Sequence, residues 1–223
     1  MNANYQDRSI KALVLGSAFL LLALGVPRFL AALSLVPGTP VFYALWAGEP
    51  TSAQDIDTMI TSRLQSLEFS ESPAAYSDLG AAYLAQAQQA ETPDEKQRSL
   101  ELSLEMSGKS VALAPLNAYA WARIANANIM LSPPKPEAAV TAWRQSIETA
   151  RYEPVLLFQR FHLGVVLYRD MSPADIALLK DQTRMAYNWW PYNFRSYCRR
   201  KGLVEWAIVL LADNPEAVAY LAP

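Results

Sequence analysis

The chain has 223 residues, 52% of them hydrophobic, and a formal net charge of −2 at pH 7, which argues against wholesale nucleic-acid binding. A single cysteine, Cys198, excludes an intramolecular disulfide and a cysteine-based zinc site, and a single histidine, His162, removes most metal sites and catalytic triads. Long Ala/Leu runs punctuated by fifteen prolines, without sustained strand alternation, predict an all-α protein.

The first predicted element is a membrane-spanning helix over Ala12–Leu33. As a helix it would extend about 33 Å at about 1.5 Å per residue, enough for a hydrocarbon core of about 30 Å. Pro27 is tolerated in such a helix, and Arg28 near its end can snorkel to the interface. A cleaved signal peptide also fits the basic start and apolar core. We favour the uncleaved anchor because the apolar run continues past the weak cleavage site at Leu30–Leu33.

The distribution of positive charge predicts the orientation of this span. Arg8 and Lys11 precede it, whereas Phe29–Ser62 contains no Lys or Arg. The positive-inside rule then places the N-terminus in the cytoplasm and the rest of the chain outside. In a Gram-negative bacterium this arrangement is a single-pass inner-membrane protein with a periplasmic domain.

We therefore divide the chain into three parts. Residues 1–36 form a cytoplasmic stub and anchor, residues 37–51 an interfacial linker, and residues 52–223 a helical-repeat domain. Three aromatic residues of the linker lie where an interfacial belt is expected, namely Phe42, Tyr43 and Trp46.

Capping signals mark the helix starts of the remaining chain. A capping box is predicted at Thr51-x-x-Gln54, and N-caps followed by proline at Ser72, Thr92 and Ser172, the last two with an acid at the third helical position. The predicted helices cover 52–67, 73–90, 93–113, 117–131, 136–151, 154–170, 173–187, 193–201, 203–211 and 215–221.

Part of this domain resembles a tetratricopeptide repeat (TPR). Tyr76–Tyr83, YSDLGAAY, fits the template W-x2-L-G-x2-Y with Tyr in place of Trp. Lys109–Asn128 contains the end of one helix, a corner at Pro115, and the start of the next helix. Aligned on such corners, three helical hairpins are predicted over 73–113, 117–151 and 158–187. They are expected to stack as an α-solenoid, because one hairpin cannot bury its apolar face alone.

Two template positions recur in the three hairpins. The first requires a small residue, so that the paired helix can approach closely, and is occupied by Gly80, Ala125 and Gly164. The second carries Tyr76, Trp121 and Arg160, of which the arginine departs from the pattern.

The sequence contains no catalytic constellation that we recognise. It lacks a Gly-rich phosphate loop, a G-x-S-x-G motif and a metal-spaced His/Asp cluster. Nearby arginines could lower the pKa of Cys198, but a buried structural thiol is the favoured interpretation. We predict a protein without enzymatic activity, cofactor or metal.

Two surfaces are candidates for binding. In known TPR domains certain first-helix positions line a concave groove that binds peptides, and the repeat frame places six residues there: Tyr119, Asn126, Phe158, Phe161, Val165 and Tyr168. The alternative is that these residues merely contact the next helix.

The second candidate surface is a basic and aromatic patch within Arg184–Lys201, a segment without acidic residues. Its expected members are Arg184, Trp189, Trp190, Tyr192, Arg195, Arg199 and Arg200. Arginines and stacked rings could hold an acidic polysaccharide, lipid headgroups or an acidic partner. The alternative is that the rings close the end of the solenoid while the arginines are only solvated.

Taken whole, the order of features resembles the VpsP-like family of membrane-anchored, TPR-like proteins from bacterial exopolysaccharide clusters. The resemblance rests on ALAPLNAYAWARIA at Ala112–Ala125 and EPVLLFQRFHLGVVLYRDMSPADIALLKDQ at Glu153–Gln182. It implies a scaffold role near polysaccharide polymerisation or export, with membrane proteins of that machinery as partners and no established active-site residues. The alternative is a scaffold subunit of another inner-membrane complex, with lateral contacts through the anchor.

Overall fold

The computed structural model describes residues 3–222, with the side chains of Lys11 and of residues 13–222. Met1, Asn2, Pro223 and the side chain of Arg8, one of the two cations that predict the orientation, lie outside the described residues. Between residues 3 and 222 the secondary structure is helical without any strand, which confirms the all-α prediction.

Twelve α-helices follow one another in the described chain. They are α1 Ala3–Leu35, α2 Thr39–Ala47, α3 Ala53–Phe69, α4 Pro73–Gln89, α5 Pro93–Leu113, α6 Ala118–Met130, α7 Pro136–Thr149, α8 Leu157–Val166, α9 Pro173–Trp189, α10 Pro191–Lys201, α11 Val204–Leu210 and α12 Pro215–Leu221. Short 3-10 turns cover Val36–Gly38, Pro154–Leu156 and Tyr168–Asp170. The helix predicted over 154–170 is thus a turn, α8 and a second turn.

The predicted N-caps at Ser72, Thr92 and Ser172 are confirmed. The predicted capping box at Thr51-x-x-Gln54 is wrong by one residue. Ser52 Oγ accepts from the Asp55 backbone N–H at 3.1 Å, and Asp55 Oδ2 accepts from the Ser52 N–H at 3.0 Å. A carboxylate at this position also interacts favourably with the helix dipole, which an amide does not.

The free energy of unfolding is expected to depend on pH through Asp175, the buried carboxylate that caps the start of α9. Asp175 accepts from Arg144 Nε at 2.7 Å, and this hydrogen bonding, with that of Ser172, lowers its pKa to about 2. Because the folded-state pKa lies below the ordinary value of 3.8, the unfolded chain takes up this proton first as pH falls. The contribution of Asp175 is therefore complete above about pH 4 and is lost toward about pH 2.

We expect the wild-type protein to lose about 1–2 kcal/mol more unfolding free energy between about pH 5 and pH 2 than Asp175→Asn does. Chemical unfolding of the full chain in detergent micelles at several pH values measures this difference. Parallel pH profiles for the two proteins would contradict the assignment.

Three of the hairpins are those predicted from sequence. Helices α4 and α5, α6 and α7, and α8 and α9 pair and stack in order. In the first hairpin Ser103 Oγ donates to the Gly80 carbonyl oxygen at 2.7 Å, so the two helices lie very close. Ala125 is fully buried, and Gly164 faces Leu179. The predicted small-residue positions are therefore the helix contacts of the stack.

The structure adds a hairpin that the sequence did not predict. The end of α1, the Val36–Gly38 turn and α2 pack along α3. The residues of α1 that are at least partly buried follow helical spacing, i, i+3, i+4, i+7 and i+8, and are Pro27, Leu30, Ala31, Ser34 and Leu35. The anchor helix therefore continues directly into the solenoid.

A buried arginine fastens this first hairpin. Arg63 Nη1 donates to the Leu35 carbonyl oxygen at 3.0 Å, and Nε donates to Asp78 Oδ2 at 3.1 Å. The Arg63 guanidinium also lies 5.9 Å from the Phe42 ring centroid. Residues 36–47, most of the predicted interfacial linker over 37–51, are therefore helical and packed against α3. Their place at a membrane interface stays a prediction.

Arg160, which departs from the repeat template, lies fully buried in the largest core. Its guanidinium donates to the Ser146 hydroxyl and carbonyl oxygens and, at 2.9 Å, to the Ala150 carbonyl oxygen. It thus donates to carbonyl oxygens at the end of α7, where the regular backbone hydrogen bonds of the helix stop, and the Thr149 hydroxyl is a second donor to that of Ser146. Burial lowers the pKa of Arg160 to about 10, so the side chain remains charged at neutral pH.

Candidate functional site

Two clefts lie between α2 and the first helices of the hairpins, and together we call them the groove. The first has a volume of about 250 Å³ and the second about 590 Å³. Four residues line both clefts, namely Leu45, Trp46, Val155 and Gln159. The groove is therefore a continuous space with α2 as one wall.

Helical spacing presents the lining side chains on single faces. Tyr119, Arg123 and Asn126 of α6 occupy positions i, i+4 and i+7. In α8, Phe158 and His162 are one turn apart. The opposite wall is formed by Leu45 and Trp46, and by further residues at the end of α2.

Three of the six residues predicted to line a binding groove lie at these clefts, and their binding role stays a prediction. Tyr119 lines the first cleft, and Asn126 and Phe158 line the second. Phe161 and Val165 do not line either cleft, because α8 is surrounded by neighbouring helices and these two residues are buried in the core.

Tyr168, the sixth residue, does not line either cleft. Its ring packs on Trp206, with the ring centroids 4.9 Å apart. The sequence reasoning missed the contribution of α2, and also His162 and Tyr197. The four-residue spacing between Phe158 and His162 is the signal that would have indicated the histidine.

The second cleft has a neutral polar wall. His162 Nδ1 lies 3.0 Å from the Tyr197 hydroxyl oxygen. Burial, with the nearby charge of Lys201, lowers the pKa of His162, and burial raises the pKa of Tyr197. Both side chains are therefore uncharged near pH 7, where the Tyr197 hydroxyl can donate to His162.

The first cleft holds a cation. Arg123 Nη1 donates to Ser77 Oγ at 2.7 Å, and burial lowers the pKa of Arg123 to about 10, which leaves it charged at neutral pH. Burial, followed by a hydrogen bond with Glu153, raises the pKa of Tyr119 to about 12. The groove therefore offers apolar walls and a few fixed polar groups, as binding pockets generally do.

The predicted basic and aromatic patch does not form one surface. Trp189, Trp190 and Tyr192 are exposed where α9 meets α10. Arg199 and Arg200 are exposed at the other end of α10, about 15 Å away at about 1.5 Å per residue. Rings and solvated arginines are therefore separated by the length of that helix.

The other two arginines of the patch have partners within the chain. Arg184 Nη2 donates to Asp213 Oδ2 at 2.6 Å. Arg195 Nη2 donates to the Ala222 carbonyl oxygen at 3.1 Å, and its guanidinium lies 5.0 Å from the Tyr220 ring centroid. Both side chains therefore hold the C-terminal helices instead of forming an open cationic surface.

The aromatic part of the patch instead joins the groove. The Trp190 ring centroid lies 6.1 Å from that of Phe158, which in turn lies 5.3 Å from that of Tyr197. Such edge-to-face and tilted pairs contribute beyond their buried area. The groove thus ends at the exposed rings of the α9–α10 junction.

The remaining candidate for chemistry is Cys198, which is fully buried and free. Burial raises its pKa to about 12. The favoured interpretation, a buried free thiol, is therefore confirmed, and the alternative in which neighbouring arginines lower the pKa is not. In the described part of the chain, no three His, Cys, Asp or Glu side chains form a group that could hold a metal.

Comparison with known proteins identifies the fold. No family model and no curated protein matches this chain. The crystal structure of a thermophilic TPR protein from Thermus thermophilus matches with a TM-score of 0.54, covering 85% of this chain and 94% of that chain at 15% identity. At this identity the likeness shows fold alone, and it confirms a TPR-like α-solenoid.

Proposed function

We propose that this protein is a membrane-anchored, non-catalytic adaptor that holds a segment of a partner protein in the groove. The observation that carries this proposal is the continuous aromatic and apolar lining from Trp46 through Phe158 to Trp190. TPR-like solenoids generally act as scaffolds for protein–protein contacts, and exposed aromatic side chains are typical of interaction hot spots.

The anchor is α1. The apolar helical stretch from Leu13 to Ala47 is long enough to cross a membrane, and hardly any of its most apolar window is buried. We place the protein in the bacterial inner membrane with its N-terminus in the cytoplasm. Supporting observations are Lys11 before the span and the absence of Lys and Arg from Phe29–Ser62.

For the biological setting we propose exopolysaccharide synthesis or export, on the basis of the resemblance at Glu153–Gln182. The partner would then be a membrane protein of the polysaccharide assembly machine, with the groove receiving a segment that it exposes in the periplasm. An acidic polysaccharide is a further candidate ligand. Its support is confined to Arg199, Arg200 and Lys201 at the end of α10.

One observation favours the alternative of a scaffold subunit in another inner-membrane complex. The side chains of residues 13–26 of α1 are all exposed and include Phe19 and several leucines. A free apolar helix surface of this kind can pack against other membrane helices. In this alternative, the contacts that select the partner are made by α1 within the bilayer and not by the groove.

The proposed topology predicts the behaviour of reporter fusions. A reporter that is active only in the periplasm should be active when fused after Pro223 and inactive when fused before Met1. The reason is the excess of positive charge before the span. The reverse pattern would overturn the orientation, and with it the periplasmic role.

The groove predicts the outcome of a matched pair of substitutions. Trp46→Ser should lower cross-linking of the partner and polymer yield by at least about tenfold at normal protein level, since it removes an aromatic contact from both clefts. Val209→Ser is the control, because Val209 is as exposed as Trp46, at 59% against 57%, but lies outside the groove.

Equal partner cross-linking by the two variants would overturn the adaptor proposal. Lost cross-linking with normal polymer yield would overturn only the polysaccharide setting.

A further inference from the structure

The hairpin order determines which edge of the solenoid faces the membrane. Helix α1 leaves the membrane and continues into α2, and α3 then runs back along the last turns of α1. The end of α3 therefore points toward the bilayer. Since later helices alternate in direction, the α3–α4, α5–α6, α7–α8 and α9–α10 connections share this side, which we call the corner edge.

Hydrogen bonds and ring contacts join the helix ends along the corner edge. Ser110 Oγ, near the end of α5, donates to the carbonyl oxygen of Pro73, the first residue of α4. Ser146 Oγ donates to the Ala118 carbonyl oxygen. Near the last two corners, Gln182 Nε2 donates to the Arg151 carbonyl oxygen at 3.1 Å. The four corners therefore form one continuous strip.

This strip carries most of the exposed large apolar side chains of the solenoid. Beyond α2 eleven such residues are exposed in the described chain, and four of them, Leu64, Val155, Val166 and Val209, are in helices or in the groove lining. The other seven lie at the corner edge, namely Phe69, Leu113, Leu116, Tyr152, Trp189, Trp190 and Tyr192. This clustering is not explained by the groove, which only Trp190 adjoins.

The opposite edge has a different composition. It is formed by the α2–α3, α4–α5, α6–α7, α8–α9 and α10–α11 connections. By the same count, which includes the last residues of the helices, two exposed large apolar residues lie at this edge in the described chain, Trp46 near the end of α2 and Val166 at the end of α8, and both line the groove. The exposed residues of these connections include Glu49, Glu91, Lys135, Arg169 and Asp170. The corner edge also carries charge, since Glu68, Glu71 and Glu148 are exposed there, while Arg151 is paired with Asp181 at 2.9 Å. The two edges thus differ in the number of their exposed large apolar side chains.

The height of the corner edge matches the outer surface of the bilayer. From Lys11, about 20 helical residues cross a hydrocarbon core of about 30 Å and reach Ala31. Among the described side chains of α1, which packs on α3, burial begins at Pro27, one turn before that point. The end of α3, with Phe69, therefore lies at the level of the lipid headgroups, where tryptophan and tyrosine side chains are also favoured.

We propose that the corner edge rests on the lipid headgroups of the membrane that α1 spans, so that the solenoid stands on the bilayer. The proposal rests on the membrane anchorage inferred above. The partner is the lipid surface itself, because tryptophan, tyrosine and leucine side chains among polar and charged ones suit an interface of mixed polarity. The contact fixes the height of the groove above the membrane.

Site-specific fluorescence of the full chain in phosphatidylcholine vesicles tests this contact. Cys198 is fully buried, so a thiol-reactive probe reports on an added cysteine. Leu116→Cys and Tyr192→Cys place the probe on the corner edge, and Glu91→Cys and Lys135→Cys place it on the opposite edge. Leu20→Cys reports on the anchor, and unsubstituted protein provides the labelling blank. Quenching is measured with nitroxide-labelled lipids.

We expect strong quenching at positions 20, 116 and 192, and several-fold weaker quenching at 91 and 135. Quenching at 20 without quenching at 116 and 192 would overturn the lipid contact and leave the anchor intact. Absence of quenching at 20 would overturn the anchor together with the contact. A third outcome would also contradict the proposal. If the probes at 116 and 192 are already shielded from water in detergent without lipid, and the protein is a dimer under those conditions, then a second copy of the chain covers the corner edge.

Discussion

Replacing Arg160 by leucine should lower the free energy of unfolding by about 3 kcal/mol. The substitution removes the guanidinium donors to the Ser146 carbonyl oxygen and the Ser146 hydroxyl, both of which are buried at the end of α7. Relief of the desolvation of the guanidinium does not cancel this loss, because the buried Ser146 carbonyl oxygen keeps only the Thr149 hydroxyl, at 3.3 Å, as a donor. Chemical unfolding of the full chain in detergent micelles measures the change.

Arg151→Leu is the control for this prediction. Arg151 is exposed, and its ion pair with Asp181 is screened by water, so its loss should cost less than about 1 kcal/mol. Similar losses for the two variants would show that the buried hydrogen bonds of Arg160 contribute little. Because α8 carries Phe158 and His162, we also expect Arg160→Leu to weaken partner binding in the groove.

Gly80→Leu should destabilise the protein by about 3 kcal/mol, the upper end of the range for overpacking a close helix contact. A Cβ atom at Gly80 would overlap with Ser107 Oγ and lie 3.3 Å from the Ser107 backbone nitrogen. Since backbone atoms of α5 cannot rotate away, the first hairpin must open. Thermal unfolding followed by circular dichroism provides the measurement.

The neighbouring Gly108 offers a matched control on the partner helix. A Cβ atom there would meet nothing within 4 Å, and leucine has a better helix propensity than glycine by up to about 1 kcal/mol. Gly108→Leu should therefore be neutral or stabilising. If both leucine variants melt at the same temperature, the close contact between α4 and α5 does not limit stability.

The sequence alone determined where several helices of the solenoid begin. Prolines at the first helical position and polar N-caps act within a few residues of the chain, so local chemistry is sufficient to place them. Ser72, Thr92 and Ser172 are examples. The same holds for Gly80 and Ala125, whose position in the repeat template is enough to predict a close helix contact.

Only the tertiary structure decided the role of the arginines. In a sequence, arginine indicates a solvated surface, because an isolated charge is very costly to bury. Arg63 and Arg160 are buried because helices distant in sequence bring carbonyl oxygens and a carboxylate to them. Arg195 likewise reaches the Ala222 carbonyl oxygen.

The pairing of helices also depends on tertiary structure, and it determines the candidate site. The apolar pattern of residues 36–47 does not indicate which helix they contact, and only the tertiary structure shows that they pack on α3. By packing there, α2 becomes a wall of the groove, which no local pattern indicates. The separation of Trp189 and Trp190 from Arg199 has the same origin, because the direction of α10 places neighbours in sequence at opposite edges of the solenoid.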